Sequence, residues 1–302
     1  MFQYDFCQAK TSDDVCRFLD TYGEHGRVVA GGTDLLVQIR DKDRRFESIT
    51  NIMDITPLET EMRYVKEDGD ELEIGALCTH TDLENDPLIR QYLPLLGEAC
   101  ATVGSPQIRN RGTIGGSICN ASPAADPLTP LVASDAKVII KGISGTREVK
   151  LSDFYHGKGQ TDLGRGEFVL AFRVRKLENS MGSAFAKLGR RKALAISRLN
   201  AAVVIKAAED GKIESVSIAP GCIFTVPERV AKAEEVLTGS KPSEEDFQKA
   251  GEAVSAEMIE RTGIRWSTEY KKPAVEAIVR DALEKAYAKA VLASAGKSEV
   301  RK

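Results

Sequence analysis

An α+β fold built from three successive units is predicted, and three observations carry the prediction. Short β-branched stretches of strand length alternate with amphipathic stretches of helical spacing along the 302 residues. Glycine-rich loops interrupt the first two thirds, and an Asp210-Gly211 dipeptide between two apolar runs marks a hairpin in the last third. The length is enough to bury a sizeable core and favours two or three domains over one.

The first unit, residues 1–56, reads as helix, strand, short helix, strand. "SDDVCRFLDTYG" opens on Ser12 as the cap and stops at Gly23. "RVVA" is a short strand, "DLLVQIRDK" has helical spacing, and "SITNIMDI" is again strand-like. The second unit, residues 57–178, holds the strand "ELEIGAL", helices within "HTDLENDPLIRQYLPLLGEACATV", and a loop rich in Gly, Asn, Ser and Pro. After it come "AKVIIKG" and "REVKLSDF", joined by a Ser144-Gly145 turn. The third unit, residues 179–302, contains the Asp210-Gly211 hairpin and three helices, the middle one starting at Ser243 as N-cap with Asp246 as a near capping box.

Composition narrows the function classes. A net charge of −3 with basic residues spread along the chain gives no nucleic-acid footprint. There is no apolar run of membrane-spanning length and no secretory signal at the start, so a cytoplasmic protein is expected. Six cysteines, Cys7, Cys16, Cys78, Cys100, Cys119 and Cys222, stand apart without a C-x-x-C pair, a poor pattern for zinc or an iron–sulfur cluster, and they read as buried reduced thiols. His80 and His156 are isolated and are assigned no chemistry.

Two stretches carry the informative chemistry: "VVAGGTDL", residues 28–35, and "GTIGGSICNASPAADP", residues 112–127. Each joins glycines to a hydroxyl residue and then to an aspartate. Glycine permits positive φ and lets successive amides converge into an anion-binding nest, to which Thr33 and Thr113 add hydroxyls. With Asp34 at a helix start, a pyrophosphate fits between two such loops. The bland reading is that Gly31-Gly32 and Gly115-Gly116 are tight turns. Neither G-x-G-x-x-G nor G-x-x-x-x-G-K-[ST] is present, which disfavours a dinucleotide Rossmann site or a P-loop. Asp126 before Pro127 is either an N-cap or a carboxylate for ligand hydroxyls. Arg190-Arg191-Lys192 is either a solvated surface or a patch for a pyridine nucleotide or a partner.

The two loops, in this order and about eighty residues apart, resemble those of the FAD-binding medium subunit of the molybdenum hydroxylases, the xanthine dehydrogenase and carbon monoxide dehydrogenase family. "AGGTDLL", "VGSPQIRNRGTIGGSICNASPAADP", "GEFVLAFRV", "SAFAKLGRRKALAIS", "GCIFTVPERVAKAEEVLTG" and "RWSTEYKKPAVEAIVRDAL" extend the likeness along essentially the whole chain, with nicotinate-dehydrogenase-type subunits among the similar ones. The resemblance implies a two-lobed FAD-binding domain of the vanillyl-alcohol-oxidase or PCMH type. A smaller α/β C-terminal domain with a three-stranded antiparallel sheet and three helices would follow.

It also implies noncovalent FAD as the only prosthetic group. Val28, Val29, Ala30, Gly31, Gly32, Thr33, Asp34 and Leu35 would wrap the pyrophosphate from the first lobe, and Thr113, Ile114, Gly115, Gly116 and Ser117 from the second. Val103 or Gly104 would lie near the isoalloxazine, Asp126 would meet an FAD hydroxyl, and Val169 and Leu170 would line the flavin. Lys187 matches a lysine that contacts the flavin from the C-terminal domain, a solvated strand lysine being the other reading. Where the family often has Asn after TIGG, this chain has Ser117.

By the same resemblance, a large molybdopterin subunit hydroxylates the substrate and a small subunit with two [2Fe–2S] clusters delivers electrons to this FAD. The electrons then pass to NAD⁺ or another acceptor. The chain has no inserted cysteine-rich loop of the kind that carries an extra [4Fe–4S] centre. The competing readings are a free-standing FAD oxidoreductase, for which no acid–base residues stand out, and a nucleotide-binding assembly protein without redox turnover.

Overall fold

The structure, a computed structural model, describes residues 4–300. Three short parallel strands, in the spatial order Asp5–Gln8, Asn51–Asp54, Gly26–Val29, make the first sheet. All-parallel pairing sends every strand's carboxyl end to one edge, where ligand loops of such sheets gather. The loop that follows Val29 leaves from that edge and leads to the helix Leu35–Arg40. The strand Asp5–Gln8 has no counterpart in the sequence reading, because its four residues are all exposed and show no alternation.

Helix Ser12–Tyr22 is capped one residue earlier than expected, by Thr11 and not by Ser12. The Asp14 amide donates to Thr11 Oγ1 at 3.2 Å, and the Thr11 amide donates to the Asp14 carboxylate at 2.8 Å, closing a capping box. Gly23 ends the helix as expected.

The second sheet is antiparallel, in the order Val65–Asp68, Glu71–Gly75, Phe168–Arg175, Lys137–Gly142, Gly145–Lys150. Gly142 pairs with Gly145, which puts the hairpin turn on Ile143-Ser144 and makes Gly145 the start of the return strand. Register slips between Val169 and Ala171, so Leu170 sits in a bulge, and its carbonyl takes the Ala76 amide at 3.0 Å. Three helices, His80–Asn85, Pro87–Tyr92 and Pro94–Ala101, contribute Leu83, Ile89, Leu95 and Leu96, all fully buried, to the core. The latter two open on proline, whose fixed φ suits a first helical position.

The third sheet, Met181–Gly189, Ser197–Ala207, Ile213–Gly221, is antiparallel and packs against helices Ala231–Leu237 and Thr268–Val300, on which helix Glu244–Thr262 lies in turn. Gly211 takes φ 82° in the hairpin. Ser243 caps the middle helix, its amide donating to the Asp246 carboxylate at 2.9 Å and its hydroxyl accepting from the Asp246 amide at 3.3 Å. The central strand is buried on both faces. Ala201, Val203 and Ile205 join the core beneath the C-terminal helices, while the alternate residues Ala202 and Val204 join the core of the preceding units.

Among the described residues no helix is long and apolar enough to cross a membrane. Of the six cysteines, all free, Cys16, Cys78 and Cys100 are buried, Cys119 and Cys222 are half-buried, and Cys7 is exposed, so the expectation of uniform burial fails at Cys7.

Candidate functional site

The first glycine loop is shaped by close approach and by a left-handed residue. A Cβ on Gly31 would stand 1.9 Å from the Arg111 carbonyl oxygen, so only glycine lets the loop lie against the turn that precedes the second glycine loop. Gly32 has φ 71°, a conformation L side chains avoid. The amides of Gly32, Thr33 and Asp34 donate to no other group among the described residues. Asp34 does not cap the helix that follows, having helical dihedrals and no side-chain capping bond. Its carboxylate lines the cavity instead, and desolvation by the cavity wall raises its pKa.

The second loop behaves differently. The Ile114 amide donates to Cys78 O at 2.9 Å, Gly115 to Ala76 O at 2.9 Å, Gly116 to Thr113 Oγ1 at 3.1 Å, and Ser117 to Thr113 O at 3.0 Å. Those amides form no free nest, contrary to the sequence expectation, because the protein itself engages each of them. A Cβ on Gly115 would lie 2.7 Å from Ala76 Cβ, so this glycine serves packing. What the loop offers a ligand is the hydroxyl of Ser117 and the bare backbone surface of Gly116.

These loops enclose a cavity of about 760 Å³ lined by Val28, Val29, Ala30, Gly31, Gly32, Thr33, Asp34 and Leu35 on one side. Thr113, Gly115, Gly116, Ser117 and Val169 line the other. A second cavity of about 270 Å³ is lined by Val103, Gly104 and Asp126 among others. Thr33, Asp34, Ser117 and Asn120 border both cavities, so the two adjoin at that waist. Ile114 is fully buried, and Ile114, Leu170 and Lys187 lie outside both linings.

Asp126 is 6% exposed and is not an N-cap: the next helix is Leu128–Ala133, with Pro127 at its cap position and no side-chain capping bond. Its carboxylate gathers the third unit instead. Lys187 Nζ donates to Oδ2 at 2.5 Å, and Ser197 Oγ at 2.5 Å and Asn200 Nδ2 at 3.3 Å donate to Oδ1. Lys187 also donates to the Thr102 carbonyl at 2.9 Å and is only 12% exposed, so it is no solvated strand lysine. In the 190–192 run, all exposed, Arg191 folds back onto the carbonyls of Ala193 and Leu194, and the following residues Leu194, Ala195 and Ile196 wall the smaller cavity.

Several site residues escaped the sequence reading. Arg27 lines the large cavity and, unlike Arg45 and Arg165, has no carboxylate within 4.0 Å among the described residues; burial lowers its pKa. His80 lines the smaller cavity at 1% exposure, with Nε2 3.1 Å from Ser117 Oγ, and burial pushes its pKa down to about 4. His156, by contrast, is exposed beside Asp162. No local pattern announces the His80 site, since Ser117 lies 37 residues away.

Comparison with known proteins bears on this arrangement. Residues 2–175 match the FAD-binding domain of molybdopterin dehydrogenases, and residues 183–286 match the C-terminal domain of carbon monoxide dehydrogenase flavoproteins. This chain belongs to the family of FAD-binding subunits of the molybdenum hydroxylases. The FAD subunit is 33% identical to the nicotinate dehydrogenase FAD-subunit of Eubacterium barkeri, across 93% of this chain and 95% of that protein. It is 30% identical to the xanthine dehydrogenase FAD-binding subunit of Escherichia coli O157:H7, across 87% and 89%. In structure it is similar to a chain of carbon monoxide dehydrogenase from Hydrogenophaga pseudoflava, with a TM-score of 0.87 at 28% identity, covering 95% of this chain and 98% of that one. The chain is therefore an FAD-dependent oxidoreductase subunit.

Proposed function

We propose that the FAD subunit holds FAD noncovalently along the two joined cavities and acts as the electron-transfer subunit of a heteromeric molybdenum hydroxylase. It would receive electrons from the [2Fe–2S] clusters of a small partner, deliver them to NAD⁺ or another acceptor, and leave substrate oxidation to a large molybdopterin partner. The observation that carries this reading is the waist at Thr33, Asp34, Ser117 and Asn120, where a large and a small cavity adjoin beside the unpaired amides of Gly32, Thr33 and Asp34. An elongated molecule with an anionic middle suits that shape, and free amides with the cationic Arg27 suit a pyrophosphate-bearing one.

Bound FAD supplies the redox chemistry. The chain's own residues bind and orient it: the first loop through its amides, Ser117 through its hydroxyl, and Val169 through apolar contact. Lys187 places its cation beside Asp126 at the smaller cavity, where it adjusts the local field without standing in the lining. In this reading residues 1–56 and 57–178 form the two lobes around the cofactor and residues 179–302 close it from the third side.

Absorption spectroscopy of the purified chain tests the proposal. Flavin bands that survive desalting, or that return after incubation with FAD, are expected. A colourless chain that takes up no FAD overturns it. Co-purification with iron–sulfur and molybdenum partners tests the assembly, and oxidation of an organic substrate by this chain alone would contradict it.

A further inference from the structure

Two features of His80 are unused by the proposed function: it is almost fully buried, and its ring is only half satisfied. Nε2 lies 3.1 Å from Ser117 Oγ, while Nδ1 has no hydrogen-bond partner among the described residues. Gly112 lies close to the ring, since a Cβ there would stand 3.1 Å from His80 Cδ2. A neutral imidazole carries one proton, and the two tautomers are unequal here. With the proton on Nδ1, a buried N–H would lack any acceptor; with it on Nε2, only a lone pair goes unused, the cheaper defect.

Nε2–H then donates to Ser117 Oγ. A hydroxyl that accepts from the ring keeps its own proton for another acceptor, and Ser117 borders both cavities. The Ser117 amide is already committed to Thr113 O, so the hydroxyl is the donor this residue has left.

We infer that His80 is a positioning residue that, by donating from Nε2 to Ser117 Oγ, commits the serine hydroxyl as a donor to an oxygen of the cofactor at the waist between the cavities. The inference rests on the FAD reading above and deepens it. A short serine backed by a histidine thereby does what a longer amide side chain would do alone.

The test uses the full-length chain and FAD. Fluorescence titration is expected to show Ser117→Ala and His80→Leu each weakening FAD binding about tenfold, as for one lost hydrogen bond to a charged group. The double variant is expected to lose no more than either single one, because both changes remove the same donor. His80→Gln, whose amide N–H₂ can donate from a similar position, is expected to stay near wild type. Imidazole ¹⁵N NMR of the unaltered chain is expected to report the neutral Nε2–H tautomer.

Wild-type FAD affinity in a folded His80→Leu chain, losses that multiply in the double variant, or an Nδ1–H tautomer would each overturn the inference. The tautomer is read on the wild-type chain, so a misfolded variant does not remove the test. Failure of the FAD reading looks different: the wild-type chain itself would then take up no FAD.

Discussion

Lys187 Nζ and Asp126 Oδ2 meet at 2.5 Å across the seam between the third sheet's edge strand and the loop before helix Leu128–Ala133. Their side chains are 12% and 6% exposed, so the pair is shielded from water and one partner cannot be removed cheaply. Lys187→Met leaves a buried carboxylate held only by Ser197 and Asn200, and is expected to cost about 3–5 kcal/mol. Lys187→Met with Asp126→Leu is expected to recover most of that loss, since no charge is left uncompensated. Guanidinium unfolding midpoints decide it, and a Lys187→Met chain as stable as wild type contradicts the account.

Gly31→Ala drives a Cβ into the Arg111 carbonyl and is expected to push the first loop away from the second lobe, with loss of bound flavin and about 2–3 kcal/mol of stability. Gly32→Val acts by another route: φ 71° strains a β-branched residue by about 1–3 kcal/mol, and its Cβ meets Leu36 Cδ1 at 2.9 Å. The 450 nm absorbance per chain and the melting temperature, measured together, are expected to fall in both variants.

His80 makes stability depend on pH in a defined direction. The unfolded chain takes up this proton near pH 6.5, the folded chain only near about 4. The neutral ring's contribution is therefore fully present above pH 6.5 and is lost as pH falls from 6.5 towards 4, about 3 kcal/mol in all. His80→Gln cannot titrate, so the stability difference between wild type and this variant is expected to shrink or reverse over that window. A difference that stays constant from pH 7 to 4.5 rules the linkage out.

Ser243→Ala removes the hydroxyl that accepts from the Asp246 amide, and is expected to cost about 1 kcal/mol. Flavin content is expected to stay unchanged, because the helix Glu244–Thr262 contributes no residue to either cavity.

This last site was readable from four consecutive letters, as was the presence of the hairpin at Asp210-Gly211, although its connection has three residues, Glu209 to Gly211, between the bonded Ala208 and Lys212; a cap or a tight turn is settled by chemistry within a few residues. The glycine loops were readable as unusual backbone but not in their division of labour. Only tertiary bonds such as Gly115–Ala76 and Ile114–Cys78, which join segments nearly forty residues apart, reveal that the amides of Ile114 and Gly115 are engaged while those of Gly32, Thr33 and Asp34 are not. Strand Asp5–Gln8 left no pattern because all four of its residues are exposed, on both faces of the strand. Thr11 and Ser12 are equally good caps by type, and the backbone conformation of Thr11, φ −140° and ψ 159°, chose between them. The partners of His80 and Asp126 are set by tertiary approach and have no local signature.

The strand Ser197–Ala207 belongs to two cores at once, its odd-numbered side chains to one and its even-numbered ones to the other. Cutting the chain between residues 178 and 181 would therefore leave each fragment with a stripped apolar face: Ala202, Val204 and Ala219 on one piece, and the helices Pro94–Ala101 and Leu128–Ala133, which pack against the third sheet, on the other. Neither fragment could be handled as an autonomous module, and the halves should melt in a single transition. Sequence boundaries drawn here mark a change of architecture, while cooperativity runs straight through them.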